Sequence, residues 1–478
     1  MSSLHVGCVE FDISPRFHPT CGAWGTTSAM TELDMPLLAQ CIAFQQDDRM
    51  LLWFGSDLVG ETVPGTDVLR DEVAGALGLC REQVIWSTSQ THSSGAFPGS
   101  ILTGSSISDL SKQDPDFMQA ERKRVMNLYL EAGKEAIRRL KPAKVWAGRG
   151  YCDSVSYNTR FPMPNGGVKF SRHHAEGLQS GKPFDPTIGL VRFEDTNGKP
   201  LGAIFNFCAH PATMIMDKMI SPDYVGTTRQ YLEETIGGAP AMFCQGTCGD
   251  VNCYHIFGTP EQARQTGARL GKTAVEGMVT LIPARAEPFH FVYKTIELQC
   301  QPIPRREQFE AELTARQEFI DNLKTDPALT WVCGINLPEQ FSPEQKIQIV
   351  RLQMECLKAG LQMLDRGKLP RTTLPITLGA VRIGDVAAFL TPGENFTETG
   401  MIIRARSPFV HTLICGDTNG LFGYIGTDQD IGRGGYETDS FCKMLYFGGV
   451  RLPPAKGSAG RIIETAIELL NKLQKICI

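Results

Sequence analysis

Apolar and polar positions alternate with a period of two over residues 4–13, ending at Ser14-Pro15, and this predicts an opening strand. Leu37–Phe44 and Met50–Phe54 predict two more strands, joined by the polar turn Gln45-Gln-Asp-Asp-Arg49. A helical pattern follows, capped by Thr66 or Asp67 and stopped at Gly78. The run Gln83-Val-Ile-Trp86 then reads as a short buried strand. It gives way abruptly to small polar residues, Ser87-Thr-Ser-Gln-Thr-His-Ser-Ser-Gly95. Residues 98–112, rich in Gly and Ser, predict a surface loop. Asp114-Pro-Asp opens a long helix with Phe117, Val125, Leu128 and Ile137 on its apolar stripe.

Strands are expected at 143–148, 188–193 and 201–209, the last ending at Ala209-His210-Pro211. Residues 150–185 lack periodicity and read as one long loop. Ser221-Pro222-Asp223 is read as a helix start. Ala241–Cys244 is a short strand into the turn Gln245-Gly-Thr-Cys-Gly-Asp250. A helix at about 260–281 and a strand at 288–299 follow. Residues 304–368 change character, with helical patterns at 306–324 and 343–365 that predict a hairpin. Strands return at 373–382 and 386–390, and Thr391-Pro-Gly-Glu394 leads into a helix at about 396–405. Strand 410–415, the Gly-rich loop 416–436 and an amphipathic helix at 457–475 close the pattern. Strands before and after the hairpin look alike, so one α/β body over 1–478 is expected, with the hairpin set on it.

Composition adds mostly exclusions. The chain has 478 residues, 42% hydrophobic and 21% charged, which argues against disorder. A net charge of −5 without a basic run argues against nucleic acid. No apolar run approaches the roughly 18 residues of a membrane span, so no membrane insertion is expected. The N-terminus shows no signal peptide, and 15 cysteines then read as free thiols in a cytoplasmic protein.

Candidate chemistry sits where predicted strands end: at His92, at His210, at 245–250 and at Glu394, with Tyr424 and Tyr436 on a fifth loop. None of these has the tight spacing of a metal motif. Cys244, Cys248, Cys253 and His255 form a local cluster whose spacing fits no structural zinc motif. His173-His174 reads as a surface pair.

Six short segments, in order, resemble the neutral/alkaline non-lysosomal ceramidases, a family of zinc amidases. They are Gly7-Cys-Val-Glu-Phe-Asp-Ile-Ser-Pro15, Gln90-Thr-His-Ser-Ser-Gly95, Asn206-Phe-Cys-Ala-His-Pro211, Cys248-Gly-Asp-Val251, Pro392-Gly-Glu394, and Tyr424-Ile-Gly-Thr427 with Tyr436-Glu437. The resemblance implies an α/β fold of mixed sheets flanked by helices, an αββα-like sandwich with the hairpin as an insertion. It implies Zn2+ held by His92, His210, Glu394 and Tyr424. Nitrogen and oxygen donors of this kind suit zinc. It places Tyr436 and Arg160 against substrate and Asn252 at the family's serine position. There this chain departs: the serine is Asn252, its proline is Cys253, and the second histidine of the first loop is Ser94. The family's C-terminal domain has no counterpart.

The resulting expectation is a zinc-dependent hydrolase that cleaves an amide by metal-activated water, on a substrate smaller or more polar than ceramide. A metal-dependent lyase or isomerase and a non-catalytic metal-binding relative are the alternatives. The expected partner is a small-molecule amide or lipid-like substrate, and a homo-oligomer stays open.

Overall fold

In the computed structural model, residues 3–17, 31–95, 97–98, 114–171, 180–215, 219–438 and 451–476 are described. The predicted loop at 98–112 and the pair His173-His174 lie almost wholly, and wholly, outside them.

A large sheet of nine strands forms one layer. Its strands are His5–Asp12 (β1), Leu38–Gln46 (β2), Arg49–Ser56 (β3), Val84–Thr88 (β4), Lys141–Tyr151 (β5), Thr187–Asp195 (β6), Pro200–Phe207 (β7), Ala241–Gln245 (β8) and Ile282–Ala284 (β9). The order is β8-β7-β6-β5-β1-β2-β3-β4, with β9 also on β5. A second sheet takes Phe289–Gln299 (β10), Thr373–Ile383 (β11), Val386–Leu390 (β12) and His411–Cys415 (β13), in that order.

The sheets face one another over a shared apolar layer. Phe44, Trp53 and Phe193 from the first meet Phe289, Val381 and Leu390 from the second. Fully burying side chains of this size stabilises by roughly 1.5–3 kcal/mol each. Helices cover the outer faces. Val63–Leu77 (α1) and Pro115–Arg138 (α2) lie on one half of the large sheet. Tyr224–Thr235 (α3) and Pro260–Val279 (α4) lie on the other half. Outside the second sheet, Ile403 of Thr397–Arg406 packs with Ile462, Leu469 and Leu473 of Ser458–Gln474. The architecture is therefore an α/β sandwich of two mixed sheets between helical layers. The inserted hairpin, Arg306–Asn322 and Pro343–Asp365, has small cores of its own around Cys356 and Val350.

Three neighbouring strand pairs run parallel: β3 with β4, β7 with β8, and β12 with β13. Each pair is joined through a helix, so each pair presents its carboxyl ends, and the loops that follow, on the same side.

The structure corrects the sequence reading in three places. Residues 150–185 are not one loop: Ser156–Asn158, Arg160–Pro162 and Val168–Phe170 are strands, too short for any periodicity to register. Helix α1 is capped by Thr62, whose side chain accepts from the Gly65 amide, because Pro64 pre-sets the first turn. Helix α3 is capped by Asp223 rather than Ser221; its carboxylate accepts from the Tyr224 amide at 2.7 Å. Among the described residues no helix is long and apolar enough to cross a membrane.

Candidate active site

The loop after β4 turns sharply at Gln90, whose φ is 63°, in the left-handed region. It then docks on the loop after β7, the His92 amide donating to the Pro211 carbonyl at 2.9 Å. This brings the His92 and His210 rings to 5.7 Å between centroids. His92 Nδ1 is buried and has no hydrogen-bond partner among the described residues. Burial, and then the neighbouring His210, push the His92 pKa down to about 3, so the ring is neutral near pH 7.

His210 is held by the loop after β8. Its amide donates to the Val251 carbonyl at 3.0 Å, and its Nδ1 lies 3.1 Å from the same oxygen. A carbonyl only accepts, so Nδ1 carries the proton of this contact and Nε2 is the ring atom turned to the other side. Nε2 faces Glu394 Oε2 at 3.2 Å. Glu394 lies on Gly393–Asn395, which pairs in parallel with Gly423–Ile425 so that Glu394 stands directly beside Tyr424. Gly249 lets these loops close: a Cβ there would lie 2.3 Å from the Glu394 carbonyl oxygen. Tyr424 lies 6.5 Å from His210 and 6.0 Å from Tyr436, between ring centroids. Burial, followed by the Glu394 carboxylate, holds the Tyr424 phenol well above its usual pKa.

His92, His210, Glu394, Tyr424 and Tyr436 thus lie in one cluster, although they come from four loops. Asn252 adjoins it through a parallel bridge with His210. Arg160 is placed differently. Its side chain is fully buried and ion-paired with Asp430 and Glu437. The local cysteine cluster does not close on a metal: Cys244 faces Cys415, and His255 meets Gln262 at 3.4 Å.

Two groups at this cluster escaped the sequence reading. Asp417 follows β13, has a φ of 45°, and is buried with Oδ1 unpartnered. Burial, and then Glu394, raise its pKa. Cys248, read from the sequence as part of the 245–250 turn but given no role, sits with Sγ 3.8 Å from Asp417 Oδ2 and 4.0 Å from His210 Nε2. Asp417 was findable, since it ends a predicted strand as His92 and Glu394 do.

Among the described residues, no group of three or more His, Cys, Asp and Glu side chains already stands in coordinating geometry. The His210–Glu394 contact nevertheless fits one edge of a metal centre. An unprotonated imidazole nitrogen and a carboxylate oxygen are both acceptors, and they face each other only when a proton or a metal ion lies between them. Two donors on one zinc, each bonded at about 2.0–2.1 Å in tetrahedral geometry, stand about 3.3 Å apart. The unpartnered Nδ1 of His92 and the adjacent Tyr424 phenol offer further donors of the right chemistry.

This arrangement of loops on two sheets has counterparts among solved structures. Neutral ceramidase from Pseudomonas aeruginosa superposes with a TM-score of 0.65 at 18% identity, over 99% of this chain and 75% of that one. The fold is that of the neutral ceramidases. A ceramidase complexed with C2 gives a TM-score of 0.67 at 16% identity, with the same coverage of both chains. No protein-family model and no curated protein matches the sequence. Within the ceramidase-like fold, this chain spans three quarters of the length of either structure.

Proposed function

We propose that this ceramidase-like chain is a zinc-dependent hydrolase that cleaves an amide bond. The observation that carries the reading is the buried His210 Nε2–Glu394 Oε2 contact at 3.2 Å, an imidazole nitrogen and a carboxylate oxygen that a metal ion joins as well as a proton does. His92, His210, Glu394 and Tyr424 would hold the metal. When bound, zinc supplies a water of lowered pKa and polarises the scissile carbonyl.

The residues of the chain perform the remaining tasks. The Val251 carbonyl fixes the His210 tautomer and ring orientation. Tyr436, next to Tyr424, would donate its phenolic proton in a hydrogen bond to a developing oxyanion. Asn252, standing where the resembling family has a serine, can donate or accept hydrogen bonds but offers no hydroxyl nucleophile. Attack by water follows from that.

Two features favour a compact or polar amide over ceramide. Ser94 and Asn252 replace the groups that the resemblance assigns to ceramide contact. The tip of the inserted hairpin also closes on the site. Asn336 donates to the Phe170 carbonyl at 2.7 Å and accepts from its amide at 3.0 Å. The Phe170 ring in turn packs on Tyr436 at 5.7 Å.

The test is zinc stoichiometry of the purified protein, combined with hydrolysis of N-acyl amides of increasing chain length in 18O-water. One zinc per chain, label in the released acid, and a preference for short acyl groups are expected. A metal-free protein with undiminished turnover would refute the reading. Product formed without label would indicate a lyase.

A further inference from the structure

Arg160 bonds the segment that carries Tyr436 on both sides of that residue. Its Nη2 donates to the Gly434 carbonyl at 2.7 Å, and its Nη1 donates to the Glu437 carboxylate. Farther back, Nε donates to Asp430 Oδ1 at 3.1 Å, and Nη2 also reaches the Asp430 carbonyl at 3.3 Å. The planar guanidinium therefore grips residues 430, 434 and 437 at once, and a lysine could not. Its face rests on Phe396, 5.2 Å from the ring centroid and two residues beyond Glu394. Across the Arg160–Pro162 and Val168–Phe170 hairpin, Arg160 is the register partner of Phe170, whose ring touches Tyr436. Lys182 pairs with the second oxygen of Asp430 and lies 3.7 Å from Glu398, so two cations meet three carboxylates.

A guanidinium with no exposed surface, bonded at three edges to protein oxygens, is poorly placed to meet a substrate. We infer that Arg160 is a positioning residue: it fixes Tyr436 and, through Phe396, the strand of Glu394, while making no contact with substrate. The clamp matters because misplacing a catalytic group by about 1 Å costs on the order of 100-fold in rate.

The test is a double-mutant cycle of Arg160→Lys and Glu437→Gln in the full chain. Amide exchange across 427–438 and steady-state kinetics on one short N-acyl amide are the two readouts, with zinc content as the control. Each single variant is expected to speed exchange in 427–438 by about tenfold. Each is expected to lower kcat by on the order of 100-fold, with KM and zinc content unchanged. The double variant should be no worse than either single one, because both break the same clamp. A Glu437→Gln variant that behaves as wild type would overturn the inference. So would a rise in KM confined to Arg160→Lys. If Arg160→Lys does not fold, Glu437→Gln alone decides, because it leaves Arg160 paired with Asp430. The kinetic readout rests on the hydrolase reading, whereas the exchange readout does not. Wild type without zinc or turnover would therefore remove that reading and still leave this inference decided by exchange.

Discussion

Two buried polar pairs join distant parts of this chain, and they differ in kind. Arg229 on α3 donates to both oxygens of Asp57, at the end of β3, at 2.8 and 2.6 Å. A cation meets an anion in a two-point contact that balances both charges, although the Arg229 Nε stays unpartnered among the described residues. His210 and Glu394 are buried too, yet they close on each other only with a proton or a metal ion between the two atoms. The first pair is complete within the protein and fastens α3 to the sheet. The second is incomplete without a cation. Burial alone therefore does not distinguish a fastening from a site; whether the charges and lone pairs close among themselves does.

The largest contrast should come from removing one member of the open pair. His210→Ala is expected to abolish stoichiometric zinc and to lower amide hydrolysis by on the order of 1000-fold, with little change in unfolding midpoint. Metal analysis and denaturant titration of the same preparation would check this. Asp57→Ala should do the opposite. It leaves Arg229 buried and unpaired, and is expected to cost about 3–5 kcal/mol in equilibrium unfolding while zinc binding survives in the folded fraction. If both substitutions destabilised alike, the distinction between the pairs would fail.

Smaller effects sharpen the same comparison. Asn336→Ala removes two hydrogen bonds from the hairpin tip to Phe170 and should cost roughly 1–3 kcal/mol. Exchange at Phe170 and the acyl-length profile would show whether the tip confines the substrate, in which case longer chains gain. Asp250 adds an effect that appears only as pH changes. It accepts from the Thr397 amide at 2.7 Å, and burial raises its pKa to about 7. The folded state then holds this proton more tightly than the unfolded chain, whose carboxyl titrates near 4. Its stabilising contribution is fully present below about pH 4 and is lost as pH rises through about 7. Relative to wild type, Asp250→Asn should remove that slope, a difference on the order of 4 kcal/mol, or about 4 °C in Tm, between pH 4 and 8.

Much of this was legible in the sequence, because most strands and helices carry their own periodicity. β1, β12 and the closing helix could be located from local pattern, as could the polar turns at His92, His210 and Glu394. Their meeting could not. It depends on pairings such as His210 with Asn252 and Glu394 with Tyr424, which link segments far apart in the chain and leave no local trace. Arg160 illustrates the limit most plainly. Resemblance set it against substrate, but its surroundings depend on Asp430 and Glu437, 270 and 277 residues away. Asp417 was missed for a simpler reason: a loop read as uniformly Gly-rich hid the one acid that ends β13.

The parallel ladder of Gly393–Asn395 against Gly423–Ile425 carries a further implication. Successive residues of a strand point to opposite faces, so Glu394 and Tyr424 share one face only in this alignment. Inserting or deleting one residue would rotate the donor away from the site, offering a glycine or an asparagine in place of Glu394, or a glycine or an isoleucine in place of Tyr424. Divergent relatives could lengthen the hairpin or trade Ser94 and Asn252 with little effect on these donors. A frame change of one residue here would leave the sandwich standing and the chemistry gone.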